Sequence, residues 1–153
     1  MEKPLKIYVE TSVICAFYFA PKPMLSATRS FFRKAVKEGY ELYTSEVTIA
    51  ELERARDDVK KKSLRVIQRF KVRIIPMRAE AKKLAEEYVK RGMIPAKYRM
   101  DAEHIAIASV MGHDVLVSWN LTHIVRLKTK RMTYLINSER GYPTPEIVRP
   151  DEV

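Results

Sequence analysis

Glu10, Glu51, Asp101 and Asn120 are three carboxylates and an amide taken from four distant segments of the chain. Gathered at one place they would form an oxygen-rich site for a hard cation, because Mg²⁺ and Mn²⁺ favour oxygen ligands. Without a cation the same carboxylates would repel one another and raise their own pKa values. Each also has a plainer reading when taken alone. Asp101 would complement a helix dipole from the first turn. Glu10 would be a strand-end carboxylate, and Glu51 one surface charge among Glu46, Glu53 and Asp58. Convergence separates the two readings, and convergence depends on the elements that carry these residues.

Residues 100–124, MDAEHIAIASVMGHDVLVSWNLTHI, read as a helix, a tight turn and a strand. Ala102, Ile105, Ala106 and Ser109 recur at helical spacing, and Ile107, Ala108 and Val110 fill most of the remaining positions, as in a buried helix. Gly112 stands where a helix C-terminus favours positive φ. Val115, Leu116 and Val117 make a short β-branched run of the kind covered on both faces. If the helix runs back against the strand, Asp101 in its first turn and Asn120 beyond the strand meet at one sheet edge.

The rest of the chain alternates in the same way. Residues 5–9 form a strand ending at Glu10, followed by an apolar helix over 13–19 with Thr11 or Ser12 as N-cap. An amphipathic helix spans 26–37, and a strand spans 41–44. Ser45 caps a helix over 45–58 that carries Glu51 in its second turn. A further helix starts around Lys60 to Lys62 and ends near Phe70. A strand over 72–75, a helix over 78–90, a short helix over 124–131, a strand over 133–136 and a Pro-rich extended tail over 141–153 complete the chain. Strands alternating with helices predict an α/β fold, a mostly parallel central sheet with helices on both faces, in a single domain over 1–153. Ligands of such sheets bind beyond the carboxyl ends of the strands, where Glu10, Glu51, Asp101 and Asn120 all fall. Neither GxGxxG nor GxxxxGK[ST] is present.

The chain has 153 residues with 29 Lys and Arg against 19 Asp and Glu, a formal charge of +10. That balance points to a polyanionic partner, nucleic acid first and an acidic protein second. Lys60, Lys61, Lys62, Arg65, Arg69, Arg126, Lys128, Lys130 and Arg131 are candidate phosphate contacts. No apolar run approaches the ~18 residues that span a membrane, and residues 1–10 contain no signal-peptide core, so no membrane role and a cytoplasmic location are expected. Cys15, the single cysteine, allows no intrachain disulfide or Cys-rich zinc site and reads as a small hydrophobe. His104 reads as a hydrogen-bonded core histidine, His123 as a residue that ties down its loop, and Trp119 as a packing residue.

The segments IYVETSVI at 7–14, TSEVTIAEL at 44–52, 100–124 as quoted above, and INSERGYPTPEIVRP at 136–150 resemble the PIN-domain family, in particular its small VapC-type toxin nucleases. The resemblance spans the chain and is most specific in the central segment. It implies a three-layer α/β/α fold, frequent homodimers, endoribonuclease activity dependent on Mg²⁺ or Mn²⁺, and inhibition by a cognate antitoxin. Glu10, Glu51 and Asp101 fall on the family's acidic, metal-binding positions, and Thr11 or Ser12 on its supporting hydroxyl. Ser118, beside Asn120, is a further supporting hydroxyl. Two positions depart from the pattern. Glu10 stands where Asp is usual, and Asn120 where a further acid is common, so the site is less negative than in the family at large. With the same fold, two other functions are consistent with the residues: a catalytically impaired module that binds RNA or a protein partner, and a DNA-directed or 5′-flap nuclease.

The charge has a direct consequence. Counterion release makes binding of a basic protein to RNA weaken steeply as salt rises. A log–log plot of RNA affinity against salt should have a clearly negative slope, and a slope near zero would mean that the basic surface serves another partner.

Overall fold

A computed structural model describes residues 3–153, so the start of the domain expected over 1–153 lies outside the described residues. The chain begins with strand β1 (Lys6–Val9), followed by helices α1 (Thr11–Phe19) and α2 (Lys22–Glu38). Strand β2 (Glu41–Ser45) leads into α3 (Glu46–Glu53) and α4 (Asp57–Arg69), and β3 (Arg73–Ile75) into α5 (Ala79–Lys90). A single 3₁₀ turn (Ala96–Tyr98) opens directly into α6 (Arg99–Val110). Strand β4 (Val115–Val117), helix α7 (Leu127–Arg140), strand β5 (Glu146–Val148) and a 3₁₀ turn (Pro150–Glu152) follow. Among the described residues no helix is long and apolar enough to cross a membrane.

The five strands form one sheet in the order β3-β2-β1-β4-β5, and every pairing is parallel. Helices cover both faces, so the architecture is the expected three-layer α/β/α. Side-chain alternation along β1 shows why. Ile7 and Val9 enter one core with α1, α2 and α4, while Tyr8 enters the other with α5 and α6. Strand β4 repeats this, with Val115 and Val117 on the first side and Leu116 on the second. The chain grows outward from β1 in both directions, which makes the carboxyl ends of β1 and β4 the point where strand order reverses. That is the position at which such sheets hold ligands.

Several boundaries differ from the sequence reading. Residues 133–136 are not a strand, and the helix expected over 124–131 runs instead as α7 to Arg140. The β-branched Thr133 and Ile136 belong to a helical row with Thr129 and Asn137, all fully buried. Thr133 Oγ1 donates to Thr129 O at 2.6 Å, and Asn137 Nδ2 donates to Pro143 O at 3.0 Å. Burial of that row outweighs local strand propensity. The last strand lies instead within the segment read as a tail. Glu146–Val148 pairs with β4, and Ser118 N donates to Val148 O at 3.1 Å. The helix expected over 45–58 breaks after Glu53 and restarts at Asp57. Helix α2 starts four residues before the expected 26, with Pro23 in its first turn, where a missing N–H costs nothing. Neither Thr11 nor Ser12 caps α1; Glu10 does. Cys15 is half-buried and accepts a hydrogen bond from Ser63 Oγ.

Gly112 adopts φ 70° and ends α6 with the turn expected of it. His113 follows, buried against the rings of Tyr8 and Tyr43, and its Nδ1 has no hydrogen-bond partner among the described residues. Burial pushes its pKa down to about 4, from an ordinary 6.5. The unfolded chain therefore binds more protons between these values, and stability should be fully present above about 6.5 and fall as pH drops toward 4. The loss is on the order of 3 kcal/mol at most. Chemical denaturation across this range should show a flatter pH dependence for His113→Phe than for the wild type; parallel curves would remove His113 as the cause.

Candidate metal centre

Glu10 is the first residue beyond β1, and its side chain folds back over the start of α1. Its Oε2 accepts from Ser12 N at 3.1 Å, and its Oε1 accepts from Ser12 Oγ at 2.5 Å and Ser118 Oγ at 2.6 Å. The carboxylate thus caps α1 and joins that helix to the end of β4. Glu10 is 3% exposed. Burial raises its pKa, against the lowering effect of His104 and of the Ser118 and Ser12 hydroxyls.

Glu51 reaches the same edge from α3. Its Oε1 accepts from Thr11 Oγ1 at 2.8 Å and lies 2.5 Å from His104 Nε2. Burial pushes its pKa up, but the hydrogen bond and charge of His104 outweigh that and leave it below the ordinary value. His104 is fully buried on α6. Its other nitrogen, Nδ1, is 2.6 Å from Tyr8 Oη, and Tyr8 Oη is 2.7 Å from Ser45 Oγ. Burial alone would depress the imidazole; the Glu51 hydrogen bond and the charges of Glu10, Glu51 and Asp101 reverse the direction and raise it.

Asp101 stands one turn before His104 on α6. Its Oδ2 is 3.1 Å from His123 Nδ1. Burial raises the Asp101 carboxyl, opposed first by His104. Asn120 Oδ1 accepts from His123 N at 2.9 Å, and Asn120 O accepts from Ile124 N and Val125 N. Asn120 therefore organises the loop after β4 and holds His123, which in turn contacts Asp101.

The four residues picked from the sequence come to one sheet edge, but in two subgroups. Glu10, Glu51 and His104 offer donor atoms that all lie within 4.8 Å of one another. Asp101, Asn120 and His123 form the neighbouring one. Two carboxylate oxygens and an imidazole nitrogen at this spacing suit a divalent cation, so the residues fit such a group. Ser12, Ser118 and Thr11 surround the carboxylates as hydrogen-bond donors. His104 and Tyr8 are the residues that reading by sequence pattern missed. His104 is the buried, hydrogen-bonded histidine it was expected to be, yet it also bridges the acids. The usable signal was its place three residues after Asp101, which puts both on one helix face.

The basic candidates are unequal. Lys60 Nζ is bound to Glu53 at 2.7 Å, and Arg126 is bound to Thr129 Oγ1 and Met93 O. Lys62 lies over the rings of Tyr18 and Phe19. Lys61, Lys128 and Arg131 are exposed, and Lys130 is half-buried. Trp119 is committed to packing, since its Nε1 donates to Thr28 Oγ1 at 2.8 Å.

No protein-family model and no curated protein matches the chain. Solved structures do. VapC20 of Mycobacterium tuberculosis, a sarcin–ricin-loop cleaving toxin, is similar over 76% of this chain and 92% of its own, with TM-score 0.58 and 16% identity. A chain of VapBC2 from Rickettsia felis, solved with a DNA fragment from its promoter, is similar over 94% and 97%, with TM-score 0.55 and 15% identity. The chain thus shares its fold with these two structures.

His104→Ala would leave the buried Glu10 and the partly exposed Glu51 side by side with no positive partner. Stability relative to wild type should fall by ~3 kcal/mol at neutral pH, at the low end for a broken buried pair because Glu51 is partly exposed. In the variant both carboxyls would titrate above their unfolded values, so this penalty should shrink as pH falls and they protonate. Denaturant melts of both proteins at pH 7 and pH 5 check this; an equal difference at both would indicate lost packing rather than charge.

Proposed function

We propose that the chain is a divalent-metal-dependent endoribonuclease, acting in the cytoplasm as the toxin of a toxin–antitoxin pair. The observation that carries this reading is the gathering of buried acids at the strand-order reversal of a PIN-type fold. A ribosomal-loop cleaving toxin among the structures of like fold supports RNA as the substrate class, and a VapBC structure among them supports a cognate antitoxin as partner. We also propose a homodimer, on the resemblance to VapC-type toxins alone.

In this reading Glu10, Glu51 and Asp101 would hold Mg²⁺ or Mn²⁺, which supplies the positive charge that offsets a phosphodiester and acidifies a water for attack. The chain's own groups do the rest. Ser12 and Ser118 hold the Glu10 carboxylate in place, and Thr11 holds that of Glu51. Glu51, with its side chain 28% exposed, is the acid best placed to orient a water from solvent. His123 fixes Asp101 at the rim, and Asn120 fixes His123. Lys61, Lys62, Lys128, Lys130 and Arg131 would contact phosphates on either side of the cleaved bond.

A second reading has its own observation. Both Glu10 oxygens already accept hydrogen bonds, and an imidazole already neutralises the acids from within. That favours a catalytically impaired module which binds RNA or a protein partner.

Initial cleavage rates on a mixed RNA pool, with and without Mn²⁺, distinguish the two. Asp101→Asn keeps an acceptor for His123 and removes the charge; it should slow metal-dependent cleavage ~10-fold or more. Wild type cleaving no faster than Asp101→Asn would leave the second reading standing.

A further inference from the structure

We propose that His104 is itself a ligand of the cation, and that its nitrogen makes this centre select Mn²⁺ over Mg²⁺. This rests on the metal-dependent reading above and adds to it the identity of a ligand and of the metal. Three features carry it. First, Nε2 of His104 faces both acids, 2.5 Å from Glu51 Oε1 and 3.9 Å from Glu10 Oε2, inside a group whose donor atoms lie within 4.8 Å of one another. Second, the far side of the ring is anchored. Nδ1 bonds Tyr8 Oη, Tyr8 Oη bonds Ser45 Oγ, and the Tyr8 ring packs edge-on against the imidazole at 5.6 Å. A metal-binding imidazole is held in this way, with its second nitrogen fixed by a hydrogen bond that sets tautomer and orientation. With a cation on Nε2 the ring proton would sit on Nδ1, which would then donate to Tyr8 Oη, leaving the Tyr8 hydroxyl to donate to Ser45 Oγ. Third, the ring has no room to swing away, because His104 is fully buried.

In the metal-free chain the contact between His104 and Glu51 holds a proton. For a cation to take both atoms as ligands, the partly exposed Glu51 would draw back from Nε2, and the proton would leave to solvent. A site of oxygens alone serves Mg²⁺ well, whereas imidazole favours first-row transition ions. The mixed set of Glu10, Glu51 and His104 therefore ranks Mn²⁺ above Mg²⁺.

The experiment uses the full chain and metal alone, with no RNA. Pulsed electron paramagnetic resonance of bound Mn²⁺ should show modulation from a directly coordinated ¹⁴N nucleus. Calorimetry should give Mn²⁺ at least ~10-fold tighter binding than Mg²⁺. His104→Gln should lose the nitrogen modulation and bring the two affinities together. Mn²⁺ bound to wild type without nitrogen modulation would overturn the assignment and leave the metal-dependent reading intact. No Mn²⁺ binding at all would overturn both. The wild-type spectrum decides the question even if His104→Gln does not fold.

Discussion

A buried glutamate beside a partly exposed one needs a positive charge between them, and the rest of this structure is arranged around that requirement. At ~4 Å, like charges in a medium of effective dielectric ~20 repel by about 4 kcal/mol, before either pays for leaving water. His104 answers the repulsion from below, inside the protein. To hold the ring there, Tyr8 must leave β1 toward the α5–α6 side, Ser45 must end β2 beneath it, and α6 must pass close enough for the imidazole to reach α3. A shift of β1 by one residue would exchange Tyr8 with Ile7 or Val9 and break the contact. The polar chain and the two apolar cores therefore specify the same register, as expected of a sequence with one native state.

Much of this was legible in the residues. Alternation of β-branched runs with amphipathic segments predicted a parallel sheet between helical layers, and the quoted segments carried the resemblance to PIN domains. The helix–Gly112–strand unit placed Asp101 and Asn120 at one edge, and His123 links them, with its Nδ1 at Asp101 and its N–H on Asn120 Oδ1. What the residues did not disclose was mostly long-range. Strand propensity at Thr133 to Ile136 was overridden by a buried row whose partners, Tyr88 and Ser109, lie far back in sequence. The segment after Gly141 looked like a tail because Pro143, Pro145 and Pro150 mask a three-residue strand. An edge strand this short needs little propensity of its own when β4 supplies its partners.

The histidine was obscured for a different reason. A His on an apolar helix is as easily a core residue as a ligand, and His104 is both. It is fully buried, and it contacts the acid that faces solvent. One-dimensional reading forces a choice between these roles because burial and function normally fall on different faces of a helix. Here the site lies at the sheet edge, where the inner face of α6 and the rim of the centre coincide.

Glu10 shows the same merging of roles, and its length is the reason. A side chain that caps a helix needs only to reach the N–H two residues ahead, which Asp or Ser does well. Glu10 does this through Oε2 and extends Oε1 to the hydroxyl of Ser118 beyond β4, on a different segment of the chain. The extra methylene over Asp thus converts a local cap into a tie across the strand-order reversal. The tie has a chemical consequence. Each hydroxyl that donates to Glu10 offsets part of the burial that raises its pKa, and so keeps the carboxylate closer to its charged form. The same bonds that close the fold around this acid therefore preserve the anionic oxygen that a cation needs, and a shorter acid would have to give up either the reach to Ser118 or the position of its charge.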